Sequence, residues 1–253
     1  MFLHFTEDSY EKALIGLFQS MGYEYAYGPD IERNYQEPYY LNQVWASLPI
    51  VNPSKHQNAI AEAIKKLINI DSGDLAQKNG IFMDYLQNGI PVAYHDGKEI
   101  RHDIVYLIDY ENIYRNTFQI INQWTYVEKS EKRADLIVFV NGLPLVLIEL
   151  KSPSREETDA SAAYRQIKNY MHEIPSMFTY NAFCVMSDMA ISKAGTITAG
   201  EDRYMEWKTK DGNYENTAFA QFDTFYEGVF QRERLLDILK NFILFSGDSQ
   251  KPI

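Results

Sequence analysis

Residues 134–152 read ADLIVFVNGLPLVLIELKS. Two apolar runs flank Asn141-Gly142, the strongest short hairpin signal a sequence carries. The first run opens on an acid, Asp135, and the second closes on Glu149 and Lys151. Three charged groups therefore gather at one end of an otherwise apolar hairpin. Buried charge without a partner is costly, so such a cluster implies an ion partner or a bound metal.

Glu149 and Lys151 are two apart on a strand and share a face. Val146, Ile148 and Leu150 point the other way, and Leu145 and Leu147 are expected deeper on the charged face. The charged residues then sit at the rim of a buried strand. A hard cation such as Mg²⁺ takes oxygen ligands, typically one or two carboxylates with water and phosphate. Asp135 and Glu149 supply the carboxylates, and the Leu150 carbonyl offers a third oxygen. Lys151 can orient or help deprotonate a water and neutralise developing negative charge. Together these residues have the make-up of a Mg²⁺-dependent phosphodiester-cleaving site.

The hairpin register sets a condition. A regular ladder running from a two-residue turn at Asn141-Gly142 places Asp135 opposite Ile148, pointing away from Glu149. Facing Glu149 requires a three-residue loop, Asn141-Gly142-Leu143, or a bulge.

The tripeptide Asp/Glu-x-Lys alone says little, for it occurs at Asp96, Glu149 and Glu206. Asp96 lies in a turn, and Glu206 lacks an upstream strand-borne acid. Glu149 has the apolar strand, the hairpin and Asp135. The competing reading is a Glu149–Lys151 salt bridge at the rim, worth little. On the helix expected over Thr158–Glu173, Tyr164, Ile167, Met171 and Ile174 form the core stripe. Gln166 and Tyr170, four apart on one edge of that stripe, could reach a phosphate or a water at the same site. The competing reading is a plain amphipathic edge.

The 253 residues can bury a proper core, and the 45% hydrophobic content fits a folded chain. The formal charge is −11, from 24 basic and 35 acidic residues, which argues against a nonspecific nucleic-acid coat. A carboxylate site tolerates that balance. Cys184 is the single cysteine, which excludes an internal disulfide and suits a reducing cytosol. It is expected as a buried strand residue. No secretory signal is visible at the start, and no apolar run approaches ~18 residues, so neither export nor a membrane span is expected. His4, His56, His95, His102 and His172 lack ligand spacing, which disfavours a histidine-metal site.

Along the chain, helices are expected at Asp8–Met21, Lys55–Ile70, Ile81–Gln87 and Arg232–Phe245. Asp8 and Glu11 have the spacing of a capping box. Tyr23–Pro53, with four prolines, reads as irregular with short strands at best. Strands are expected at Val92–Tyr94 and Ile104–Leu107 about the turn Asp96-Gly97, then at Phe118–Thr125, which with the hairpin continues the sheet. Ala182–Met186 is a further strand. Ile197–Lys210 is mixed, and Asp211-Gly212 is a turn. The pattern describes one α/β domain with peripheral helices.

Asp135, Glu149-Leu-Lys151 and Gln166-x-x-x-Tyr170 together resemble the PD-(D/E)xK nuclease superfamily. More narrowly, the chain resembles the N-terminal nuclease domain of the type I restriction enzyme motor (R) subunit. That likeness is carried by Met21-Gly22-Tyr23, Asp109-Tyr110 through Asn116, Asn122-Gln123 and Phe139-Val-Asn-Gly-Leu-Pro144. It continues in Ile174-Pro175, Phe178, Tyr180-Asn181, Ser187-Asp188, Gly195-Thr196 and Trp207-Lys208, and covers nearly the whole chain.

The resemblance implies a restriction-endonuclease-like mixed β-sheet core flanked by helices. It implies Mg²⁺ as cofactor, with Mn²⁺ substituting, and double-strand DNA as substrate. Asp135 and Glu149 would bind metal with the Leu150 carbonyl, Lys151 would assist the water, and Gln166 and Tyr170 would support the site. Ala134 stands where the family usually has Pro. An acid of the first helix can join such sites, and Glu11 is the candidate beside its capping-box reading.

No G-x-x-x-x-G-K-[ST] loop occurs, so ATP is expected only in a full-length subunit. Residues 1–245 are expected to form the nuclease domain, with 246–253 starting a linker to translocase domains missing from this chain. Methylation and specificity subunits are the implied partners, in the cytoplasm. Two competing readings are a catalytically silent nuclease-like docking or DNA-binding module and a repair exonuclease on the same fold.

Overall fold

The computed structural model describes residues 6–151, 160–188, 191–213, 222–246 and 251–252. Ser152 of the hairpin stretch and Thr158 and Asp159 of the expected helix lie outside them, as do residues 247–250 and 253 of the expected linker.

Helix α1 (Glu7–Ser20) starts at Thr6, whose side chain accepts from the Ser9 N–H while the Ser9 hydroxyl serves the Thr6 N–H. It buries Tyr10, Leu14 and Phe18 and is followed by Gly22 in the left-handed region. An edge strand β1 (Glu24–Tyr27) comes next. Then come α2 (Leu41–Val51), α3 (Gln57–Ile68) and α4 (Leu75–Asn88). The α2 helix falls in the stretch expected to be irregular. Its buried Val44, Leu48 and Val51 hold it in place despite Pro49. The α4 helix begins six residues earlier than expected, because Asp74 and Gln77 form a capping box there.

Strands β2 (Ile90–His95) and β3 (Ile100–Val105) form the expected hairpin. They do not continue the main sheet. They make a separate two-stranded sheet packed on α3.

The main sheet has six strands in the order β1-β4-β5-β6-β7-β8. Its members are β4 (Phe118–Val127), β5 (Glu131–Val140), β6 (Leu143–Leu150), β7 (Phe183–Ser187) and β8 (Ser192–Gly195), with β1 at the edge. The β1/β4 and β6/β7 pairs are parallel and the rest antiparallel, so the sheet is mixed. Helices α5 (Ala160–Glu173) and α6 (Pro175–Thr179) cover one face. The other carries α1–α4 with α7 (Phe222–Phe230) and α8 (Arg232–Asp237). This is the expected α/β architecture with helices on both faces of a mixed sheet. The expected helix Arg232–Phe245 ends at Asp237 and passes into a π-helical turn over Ile238–Phe242. Phe245–Ser246 then pairs with Lys251–Pro252. Cys184 is buried in β7, as expected, and burial pushes its thiol up to about 12.

The hairpin turn is the two-residue form. Asn141 (φ 53°) and Gly142 (φ 83°) are both left-handed, and Val140 pairs with Leu143. The odd residue comes from a bulge: Phe139 pairs with Pro144, but Val138 pairs with Val146. Leu145 is the extra residue. It joins Val146 in the core beneath α1, not the charged face where a regular strand would place it. Below the bulge Leu136 pairs with Ile148, which brings Asp135 level with Glu149. The register condition set by the sequence is met through the bulge.

Candidate functional site

The site forms where the β4/β5 ladder breaks. Asn122 pairs with Leu136 and Trp124 with Ala134, while Gln123 between them has φ 54°. Ile121 and Trp124 pack in the same core cluster, as do Ile137 and Ala134. Residues three apart on an unbroken strand face opposite sides. The pleat therefore turns over at Gln123, and Asp135 sits at the break. Gly28 makes room for it: a Cβ there would lie 2.7 Å from the Asn122 carbonyl oxygen and 2.8 Å from that of Gln123. Gly28→Ala is expected to cost about 1–3 kcal/mol, because two backbone carbonyls must move. Thermal unfolding checks this as a clear drop in Tm.

The break also fixes Glu11. Its carboxylate accepts from Asn122 Nδ2 at 2.7 Å and from Gln123 Nε2 at 2.8 Å. Tyr25 Oη donates to Asn122 Oδ1 at 3.1 Å. The capping-box reading of Asp8 and Glu11 is thus overturned. The box is Thr6 with Ser9, and Asp8 instead pairs with Lys12 at 2.8 Å.

Asp135 Oδ2 accepts from the Leu150 N–H at 2.9 Å. Lys151 Nζ donates to Glu149 Oε1 and to the Leu150 carbonyl, each at 2.8 Å. The pair is not the exposed rim bridge that the strand's end suggested. Glu149 is fully buried and the Lys151 side chain is 13% exposed. Glu149 Oε2 is buried with no hydrogen-bond partner among the described residues. Burial, then the charge of Asp135, raises the Glu149 carboxyl well above its ordinary range, against the pull of Lys151. Burial likewise lifts Asp135 to about 6, opposed by the Leu150 N–H and Lys151. Two carboxylates under such pressure, one with an orphaned oxygen, are short of positive charge.

Gln166 and Tyr170 are brought together on α5. Gln166 Nε2 donates to Tyr170 Oη at 2.7 Å, and Tyr170 Oη donates to the Arg133 carbonyl at 3.0 Å. These hydrogen bonds thus hold the β5 backbone two residues before Asp135. Burial first and then the charge of Glu149 push the Tyr170 phenol up, so the ring stands within the field of the site.

Asp135 opens onto a cleft of about 550 Å³, whose walls include Glu7, Asp8, Glu11, Lys12 and Arg133. Among the described residues, no group of three or more His, Cys, Asp or Glu side chains gathers into a metal cage. A Mg²⁺ site does not need one, since it uses one or two carboxylates and completes its shell with water and substrate phosphate. Asp135, Glu149 and the Leu150 carbonyl fit that requirement, and Glu149 Oε2, which receives no hydrogen bond among the described residues, is the atom that asks for it. Arg133, two residues before Asp135 on β5, carries no motif of its own in the sequence but lines the same cleft.

A mixed sheet between helical layers, with Asp, Glu and Lys at its centre, is a restriction-endonuclease-like fold. The family described as Type I restriction enzyme R protein N terminus matches residues 4–203, and the chain belongs to it. It is 33% identical over 258 residues to the type I restriction enzyme HindI endonuclease subunit of Haemophilus influenzae, covering 96% of this chain. It is 29% identical over 231 residues to the type I restriction enzyme EcoprrI endonuclease subunit of Escherichia coli, covering 82% of this chain and 71% of that protein. The chain spans 24% of the length of the Haemophilus relative. No helix among the described residues is long and apolar enough to cross a membrane.

Proposed function

We propose that this chain is the Mg²⁺-dependent endonuclease domain of a type I restriction enzyme and hydrolyses phosphodiester bonds of double-strand DNA. The observation that carries this reading is the Leu145 bulge, which sets Asp135 level with Glu149, whose buried Oε2 receives no hydrogen bond among the described residues. Asp135, Glu149 and the Leu150 carbonyl would hold the cation. Bound Mg²⁺ polarises a phosphate and makes a water more acidic, and Mn²⁺ can do the same. Glu149 keeps the Lys151 ammonium at the site by a 2.8 Å hydrogen bond, where it can hold the attacking water and balance charge growing on phosphate. Gln166 and Tyr170 fix the β5 backbone, and so the direction from which Asp135 projects. Water exclusion comes from the buried floor, Glu149 itself being closed to solvent.

Methylation and specificity subunits would choose the DNA, and ATP-driven translocase domains would belong to the longer subunit, in the cytoplasm. The second reading is a catalytically silent docking or DNA-binding module of the same complex. The net charge of −11 favours it. Lys151→Ala separates the two. Its ammonium engages two of the three proposed ligand residues, so its removal is expected to leave Mn²⁺ binding intact or tighter. DNA cleavage by the reconstituted complex should fall by about a hundredfold or more. Undiminished cleavage in that variant would contradict the role given to Lys151. Absence of cleavage in the unaltered complex would favour the silent module.

A further inference from the structure

We infer that Arg133 is a substrate-binding residue that holds a DNA phosphate beside the Asp135–Glu149 site; the inference rests on the nuclease reading above. The cleft beside Asp135 is anionic, with Glu7, Asp8, Glu11 and Asp135 in its walls. A polyanion entering it meets repulsion unless a cation receives it. Two basic side chains line the cleft, Lys12 and Arg133. Lys12 is held by Asp8 at 2.8 Å, so its charge is already matched. Arg133 is exposed, and its guanidinium makes no ion pair or hydrogen bond among the described residues. Its backbone, by contrast, is fixed, because its carbonyl accepts from Tyr170 Oη at 3.0 Å.

A guanidinium unpaired among the described residues, on an anchored strand, is suited to a phosphate. It is always charged, weakly hydrated and presents a planar fork that matches two phosphate oxygens. Two residues along a strand span roughly 7 Å, so Arg133 stands one step from the metal-binding carboxylate. The Gln166–Tyr170 pair gains a purpose from this. By gripping the Arg133 carbonyl, it sets the metal ligand and the phosphate-binding arginine relative to one another through a single strand segment. Contacts to phosphate position a nucleic acid without reading its sequence. Arg133 therefore contributes to orientation and affinity on any duplex, not to the choice of site.

The test measures binding of a short fluorescein-labelled duplex to the 253-residue chain by anisotropy, with Ca²⁺ in place of Mg²⁺ and across a salt series. Mn²⁺ titration by calorimetry is run in parallel. Arg133→Ala is expected to weaken duplex binding about tenfold on unrelated sequences alike. The slope of log affinity against log salt should become shallower by about one, the signature of one lost phosphate contact. Arg133→Lys should restore the slope, and Mn²⁺ binding should be unchanged in both variants. Equal affinity and slope in Arg133→Ala and the unaltered chain would overturn the inference. Mn²⁺ binding with no duplex binding at low salt would overturn it while sparing the metal site. Binding of neither would overturn the nuclease reading with it.

Discussion

Glu149→Gln is expected to abolish Mg²⁺-dependent DNA cleavage in the reconstituted restriction complex, a loss of about a thousandfold or more. Metal stabilisation of the transition state is worth several kcal/mol, and roughly 4 kcal/mol is three decades in rate. Glutamine matches glutamate in size, so the fully buried position keeps its packing. Its side-chain oxygen can still accept from Lys151 Nζ, as Oε1 does now at 2.8 Å. What disappears is the negative charge and the second carboxylate oxygen, the one that receives no hydrogen bond among the described residues. Fold and function should therefore separate: an unfolding midpoint at or above that of the unaltered chain, with no cleavage. Cleavage within tenfold of the parent would remove Glu149 from the metal site.

Asp135→Asn is expected to stabilise the metal-free chain at neutral pH by up to about 3 kcal/mol. The carboxyl stands at about 6 in the fold against an ordinary value of 3.8, raised chiefly by burial. A carboxyl raised by folding favours its protonated form in the native state. Below about pH 4 it is protonated whether folded or not, and adds no penalty. As pH rises from about 4 to about 6 the unfolded chain ionises first, and the native state loses stability. Above about 6 the penalty is complete and constant. Asparagine has no such titration, and its oxygen can keep the Leu150 N–H bond, 2.9 Å in the parent. Thermal unfolding in EDTA at about pH 4 and about pH 8 should show a gap between variant and parent that opens with pH. Saturating Mn²⁺ should close or reverse it, because only the parent gains from the ion. A gap independent of pH would mean that Asp135 does not carry this strain.

The hairpin and its three charges were legible because they are local: Asn141-Gly142, apolar runs, and a spacing of two. The choice between a three-residue loop and a bulge was not local. Tyr40 decides it, its N–H donating to the Gly142 carbonyl at 2.8 Å. A Cβ on Gly142 would lie 2.6 Å from the Tyr40 carbonyl oxygen, so the turn is pressed against the start of α2. That helix was itself hidden. Val44, Leu48 and Val51 have helical spacing, but four prolines nearby spoke for irregular structure. Pro49 removes one bond, and the residue that loses its donor, Trp45, is exposed enough for water to serve instead.

The break at Gln123 was invisible for a related reason. A left-handed glutamine has no sequence signature, and its space comes from Gly28, nearly a hundred residues earlier. Glu11 was drawn toward a helix cap by its spacing from Asp8, when Thr6 and Ser9 already formed the cap. Gln166 and Tyr170 were placed on one face correctly. Tyr170 also grips the backbone of β5, a contact that spacing alone does not announce. The hairpin charges and the Gln166/Tyr170 pair are marked by local spacing; the break at Gln123 and the anchoring of Glu11 depend on residues distant in the chain.

Asp135 and Glu149 are proposed to form one cation site. Calorimetric titration of Mn²⁺ into the unaltered chain, Asp135→Asn and Glu149→Gln tests this. One site on the parent that vanishes in both variants, while both unfold cooperatively, is the predicted result. Binding that survives either substitution undiminished would contradict it.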